Sequence, residues 1–124
     1  MTLGDALLVP HMSYVAQLTP TLDRIKGMAH ITGGGFTDNV PRMLPDGLAA
    51  RLDSSAWEVP PLFQLIQQRG EIGDDEMNRV FNMGIGMIVA VVPGDVARVC
   101  AAIPEAIVVG EVAPVGDGPQ VVML

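Results

Sequence analysis

The longest apolar run in the chain is Ile85–Val92, which includes Gly86. A helix that spans a bilayer needs about 20 apolar residues, so this run is too short to cross a membrane. A strand that is apolar on both faces is typical of the interior of a sheet covered on both sides. The run therefore predicts a central strand in a fold where helices cover a sheet.

Shorter patterned segments flank this strand. Apolar spacings of three and four, with start and stop signals, predict helices at 7–18, 21–26, 38–44, 62–70, 74–81 and 95–103. Extended patterns predict strands at 28–32, 48–52, 85–92, 106–112 and 120–124. This alternation predicts an α/β or layered α+β fold, with a mixed sheet of about four to six strands, partly ferredoxin-like. A length of 124 residues suits one domain over 1–124.

Charge and cysteine content exclude several classes of protein. Asp and Glu number 14 against 7 Lys and Arg, and nucleic-acid binding needs clustered basic residues, so no nucleic-acid partner is expected. The single cysteine, Cys100, lies among apolar residues, which favours a buried inert thiol in a reducing compartment. The N-terminus has no basic signal-peptide region. We expect a soluble, cytoplasmic domain with no membrane partner.

The segment His30–Gly35 predicts a strand that runs into three glycines and then the start of a helix. Glycines let backbone N–H groups approach a phosphate closely, and a helix N-terminus adds a positive field. Thr32 offers a hydroxyl donor, and Arg42 offers a charged fork. A mobile glycine turn beside a surface histidine is an equal alternative on spacing alone. The segment matches neither the dinucleotide-binding nor the Walker pattern.

A second motif, Phe81–Met87, places Gly84 and Gly86 at the entrance of the predicted central strand. Glycines there allow close approach of a ligand or of another backbone, and Asn82 has an amide that could bind a polar ligand. The alternative is that the glycines end a helix and pack it on the sheet. His11 has no partner nearby in sequence, and one cysteine with two histidines makes no persuasive metal site.

Together with Thr2–Pro10, Asn39–Arg42 and Leu44–Leu48, these two motifs resemble the C-terminal domain of the phosphoribosylformylglycinamidine cyclo-ligase (aminoimidazole ribonucleotide synthetase) family. The resemblance covers nearly the whole chain in order. It implies an ATP-dependent ligase that closes the imidazole ring of aminoimidazole ribonucleotide from formylglycinamidine ribonucleotide, in de novo purine biosynthesis. Members of the family are two-domain homodimers, in which an N-terminal domain supplies most of the residues that bind ATP and Mg²⁺.

The resemblance also implies roles for particular residues. His30 would be catalytic, either by neutralising charge on the transferring phosphoryl group or by moving a proton. The residues implied to bind substrate or phosphate, of ATP or of the ribose, are Thr32, Gly33, Gly34, Gly35, Asn39, Arg42 and Asn82. No metal ligand is implied within 1–124. Because these residues match only the C-terminal domain, we expect no bound cofactor, no turnover by this chain alone, an exposed apolar surface and self-association.

Two other interpretations stay open. Related ATP-dependent families that share the two-domain plan include thiamine-monophosphate kinase and selenophosphate synthetase. The Asn39–Arg42 and Phe81–Met87 segments favour the ligase over these. A non-catalytic ligand-sensing or interaction module of the same fold is the third interpretation, and it predicts that neither nucleotide nor ribonucleotide binds.

Overall fold

The computed structural model describes residues 1–124 and contains six α-helices and five strands. The helices are α1 (Leu3–Leu7), α2 (Val15–Leu18), α3 (Gly35–Asn39), α4 (Pro61–Gly70), α5 (Asp74–Val80) and α6 (Val96–Ala102). The strands are β1 (Ile25–His30), β2 (Leu48–Leu52), β3 (Met87–Val91), β4 (Gly110–Pro114) and β5 (Val121–Met123). Short 3₁₀ turns cover Thr19–Arg24, Val40–Met43 and Pro93–Asp95. The α+β class predicted from the sequence is confirmed.

The five strands form two sheets rather than one. β1 and β3 make an antiparallel pair, and β2 lies between β4, which is antiparallel to it, and β5, which is parallel. The prediction of a central strand is wrong, because β3 pairs only with β1. The apolar residues of β3 instead line a partly open cavity of about 520 Å³, together with residues of β2, α6 and 105–112.

The long N-terminal helix predicted from apolar spacing is also wrong, because α1 and α2 are separated by residues 8–14. Pro10 has no backbone N–H, and it disfavours helical backbone angles at Val9. The side chains that produced the spacing are largely exposed, including Leu8 and Val15. Without a surface to bury the apolar stripe, so short a helix lacks the packing that stabilises most protein helices.

The core lies where β1, β2 and β3 face α3 and α5. Its buried members are Ala29, Ile31, Phe36, Val40, Ala50, Leu52, Met77, Met83 and Ile88. Trp57 packs edge-on against Phe36, with ring centroids 5.8 Å apart, and its Nε1 donates to the Met83 carbonyl at 3.0 Å. The core therefore packs against the loop that follows β1 and the loop that precedes β3.

Two further features differ from expectation. Asp95 does begin α6, but its carboxylate makes no cap hydrogen bond and instead pairs with Arg24 at 3.1 Å. Cys100 is only half-buried, and its side of α6 lines the 520 Å³ cavity.

The exposed large apolar side chains are concentrated in residues 1–28. None of the helices has both the length and the apolar content that crossing a bilayer demands.

Candidate functional site

Both sequence motifs lie at the same end of the β1–β3 pair. His30 is the last residue of β1 and is registered with Met87, the first residue of β3. One step further, the Ile31 N–H donates to the Gly86 carbonyl at 2.9 Å. The glycine turn after β1 and the Phe81–Met87 segment before β3 are thereby held side by side, although they are far apart in the sequence.

The glycine turn needs glycine at two of its three positions. Gly34 has φ of 99° and Gly35 has φ of 56°, backbone conformations that side chains of L-residues rarely adopt. Gly35 is buried, and a Cβ there would overlap the Asn78 carbonyl, so α3 packs directly on the last turn of α5. The Gly35 N–H closes the turn by donating to the Thr32 carbonyl at 2.9 Å.

Asn39 lies beneath this turn and is 4% exposed. Its Nδ2 is 3.4 Å from the Thr32 carbonyl, 3.3 Å from that of Gly33 and 2.9 Å from that of Gly35. In a planar trans peptide the N–H points away from the C=O. Since the Thr32 and Gly33 carbonyls turn inward to Asn39, the N–H groups of Gly33 and Gly34 point outward. Neither N–H makes a hydrogen bond within the chain.

The other predicted binding residues differ in exposure and in their hydrogen bonds. Thr32 and Arg42 are exposed, and Arg42 forms no ion pair. Asn82 is half-buried, and its Oδ1 accepts a hydrogen bond from the Gly84 N–H at 2.9 Å. Arg42 and Thr32 are therefore free to meet a ligand, whereas the Asn82 carbonyl oxygen is used in shaping its own turn.

His30 has a neighbour that sequence reasoning missed. The irregular segment after α1 brings His11 to the end of β1, where the two Nε2 atoms form a hydrogen bond of 2.9 Å. Tyr14 completes the group, with its ring centroid 5.9 Å from that of His11 and 6.4 Å from that of His30. The Tyr14 hydroxyl lies against Gly86, where any Cβ would overlap it. No local pattern signals a contact between residues 19 positions apart.

Two carboxylates, those of Asp5 and Asp53, have lowered pKa values. The pKa of Asp5 is lowered by hydrogen bonds from the Thr2 N–H and hydroxyl, and the pKa of Asp53 by those from the Ser55 hydroxyl and N–H. Both carboxylates are fully exposed and outside the turn. No three His, Cys, Asp or Glu side chains converge to hold a metal ion.

The fold and this site define an α+β domain that presents a glycine turn at the end of a strand pair. Residues 1–121 match the family model described as "AIR synthase related protein, C-terminal domain". The chain belongs to that family, and this confirms the resemblance seen in its motifs.

Several curated relatives are named phosphoribosylformylglycinamidine cyclo-ligase. A chloroplastic one from Arabidopsis thaliana is 55% identical over 100 residues, which cover 79% of this chain and 26% of the relative. One from Thermoanaerobacter sp. is 48% identical, covering 90% and 35%. One from Bordetella pertussis is 48% identical, covering 94% and 36%. The chain thus spans about a third or less of the relatives it matches.

Proposed function

We propose that this chain is the C-terminal, substrate- and phosphate-binding part of a phosphoribosylformylglycinamidine cyclo-ligase. The reaction proposed is the ATP-dependent closure of formylglycinamidine ribonucleotide to aminoimidazole ribonucleotide, with release of ADP and phosphate, in cytoplasmic de novo purine biosynthesis. Relatives of that name, 48–55% identical over most of this chain, support the proposal. The chain covers only about a third of them, so ATP, Mg²⁺ and the homodimer belong to the proposal as well.

The observation that carries the proposal is the orientation of the glycine turn. Asn39 holds two successive carbonyls inward, so that the Gly33 and Gly34 N–H groups face out as a pair of donors. Successive outward N–H groups form a concavity that suits an anion. The exposed Thr32 hydroxyl flanks them, and the unpaired Arg42 adds a positive charge. This arrangement fits a phosphate group of the ribonucleotide or of ATP.

In the reaction, the formyl amide oxygen is phosphorylated, the amidine nitrogen attacks the activated carbon, and phosphate leaves. Phosphoryl transfer depends mainly on positioning and on electrostatic stabilisation. We assign the positioning to the Gly33 and Gly34 amides with Arg42, and the neutralisation of charge or the movement of a proton to His30, exposed at the end of β1. No cluster of three or more His, Cys, Asp or Glu side chains in this chain fits Mg²⁺.

Titration of the ¹⁵N-labelled chain with inorganic phosphate, followed by amide chemical shifts, tests the anion site. We expect saturable shifts at Gly33 and Gly34. Asn39→Asp replaces the amide donor with an acceptor that faces three carbonyls, so these shifts should be lost. Gln68→Glu, an equal charge change on the exposed side of α4, is the matched control and should keep them. Unsaturable shifts, or an unaffected Asn39→Asp variant, would contradict the proposed site.

A second assay addresses the activity. The chain is mixed with formylglycinamidine ribonucleotide, ATP and Mg²⁺, and ADP release is followed by a coupled assay. We expect no turnover, because most of the proposed ATP- and metal-binding residues lie outside the part of the relatives that this chain covers. Clear turnover by the pure chain would refute this division. If the chain binds neither the ribonucleotide nor ATP, the result would favour a non-catalytic module instead.

A further inference from the structure

The only two histidines of the chain meet at one place on its surface. His11 comes from the irregular segment between α1 and α2, and His30 from the end of β1, and their Nε2 atoms form a hydrogen bond of 2.9 Å. Both residues are exposed, so this pair is open to solvent. We propose that His11 and His30 form a two-histidine site for a divalent transition-metal ion of the Ni²⁺ or Cu²⁺ type.

The separation of the two nitrogens favours a particular geometry. Imidazole nitrogens bind such ions at about 2.0–2.1 Å, so two ligands at about 90° to each other lie about 2.9 Å apart. Two ligands at a tetrahedral angle lie about 3.3 Å apart. The hydrogen-bonded separation of 2.9 Å is close to that of the right-angled pair of an octahedral or square-planar ion, the geometries that suit Ni²⁺ and Cu²⁺, so an ion that takes the place of the shared proton needs little movement of the rings.

The surroundings of the pair are compatible with a bound cation. The two rings are nearly perpendicular, at 73°, with centroids 4.8 Å apart. No third His, Cys, Asp or Glu joins them, so water would fill the remaining coordination positions. The net charge of −7 attracts cations to the molecule as a whole. The site shares His30 with the proposed ligase function, but the inference does not rest on that function and is tested on the chain alone.

The experiment titrates the untagged chain with NiCl₂ by calorimetry, at neutral pH in a buffer that does not bind metal. We expect one Ni²⁺ ion per chain. His11→Gln and His30→Gln should each weaken binding about tenfold or more, because each removes one of the two protein ligands. The Cys100→Ser variant is the control. It lacks the only thiol of the chain, which lies on the cavity side of α6, and its affinity for Ni²⁺ should equal that of the parent chain.

A measurement on the unaltered chain guards against misfolded variants. Substoichiometric Ni²⁺ is paramagnetic and should broaden the imidazole proton resonances of both histidines together, before other side chains. Broadening of only one histidine, retention of affinity in either glutamine variant, or Zn²⁺ binding more than about tenfold tighter than Ni²⁺ would each overturn the proposed site. Coincident loss of both imidazole signals with one-to-one binding would support it.

Discussion

Alanine substitutions at three consecutive glycines should have sharply different effects on stability. At Gly33 an added Cβ meets nothing within 4 Å. At Gly34 it lies 2.7 Å from the Asp38 Cβ, and the backbone has φ of 99°. At Gly35 it overlaps the Asn78 carbonyl, part of the α5 backbone, which cannot rotate away as a side chain can. The same substitution therefore places a methyl group in open space at Gly33, against a side chain at Gly34 and against main chain at Gly35.

The expected losses follow from these contacts. A left-handed backbone costs a non-glycine residue about 1–2 kcal/mol, and overpacking costs about 1–3 kcal/mol more. Gly35→Ala should therefore lower the free energy of unfolding by about 2–5 kcal/mol, and Gly34→Ala by about 1–3 kcal/mol. Gly33→Ala should stay within about 0.5 kcal/mol of the parent chain. At this length about 1 kcal/mol shifts Tm by about 4 °C, so Gly35→Ala should melt about 8–20 °C lower.

Urea and thermal unfolding, both followed by circular dichroism, measure this series, and the Gly33→Ala variant is the internal control. We expect the order Gly33→Ala, Gly34→Ala, Gly35→Ala from most to least stable. Equal midpoints for Gly33→Ala and Gly35→Ala would refute the assignment of Gly35 to the contact between α3 and α5. A larger loss at Gly33 would refute the turn geometry itself.

Three further predictions concern other parts of the molecule. Trp57→Phe keeps a ring beside the core but leaves the carbonyl of the buried Met83 without its donor. Urea denaturation should therefore show that the free energy of unfolding falls by about 1–2 kcal/mol. An unchanged free energy of unfolding would contradict the contact. The pKa of Asp5 is below its ordinary value of 3.8 in the folded chain, so its stabilising contribution is present above that value and is lost as the pH falls through the lowered pKa. Thr2→Val removes the hydroxyl but keeps the Thr2 N–H, which makes the larger contribution to lowering this pKa. An NMR titration should therefore show that the pKa of Asp5 rises only part of the way to 3.8. A full return to 3.8 would contradict the larger contribution of the N–H. The exposed apolar side chains near the N-terminus, with Leu8 81% exposed, should make the chain self-associate, and a monodisperse monomer at high concentration in light scattering would be evidence against it.

Local patterns predicted three of the helices and one of the strands closely. The helices predicted at 62–70, 74–81 and 95–103 correspond to α4, α5 and α6 within one or two residues. The strand predicted at 48–52 has the same bounds as β2. In each case an apolar face, flanked by Pro, Gly or Asp, lies within a single segment of the sequence. The division of the strands into two sheets depends on contacts between distant segments, which no local pattern records.

The candidate site shows the same limit. The glycine turn and its position after a strand were predictable from His30–Gly35, because glycine spacing acts locally. The place of Asn39 was not, because its contacts with three carbonyls exist only once Gly34 and Gly35 adopt left-handed backbone angles. His11 was passed over as a lone histidine because its contact with His30 depends on the chain bending back across the end of β1.

The parallel pairing of β2 with β5 has a consequence for how the molecule forms. Ala50 is registered with Val121, so completing the three-stranded sheet requires a segment about 70 residues further along the chain. Closing so long a loop costs conformational entropy before the strand pairing can contribute favourable free energy, and such non-local pairing slows folding. During synthesis, β5 is made long after β2, and the edge of β2 that pairs with β5 is open to mispairing in that interval.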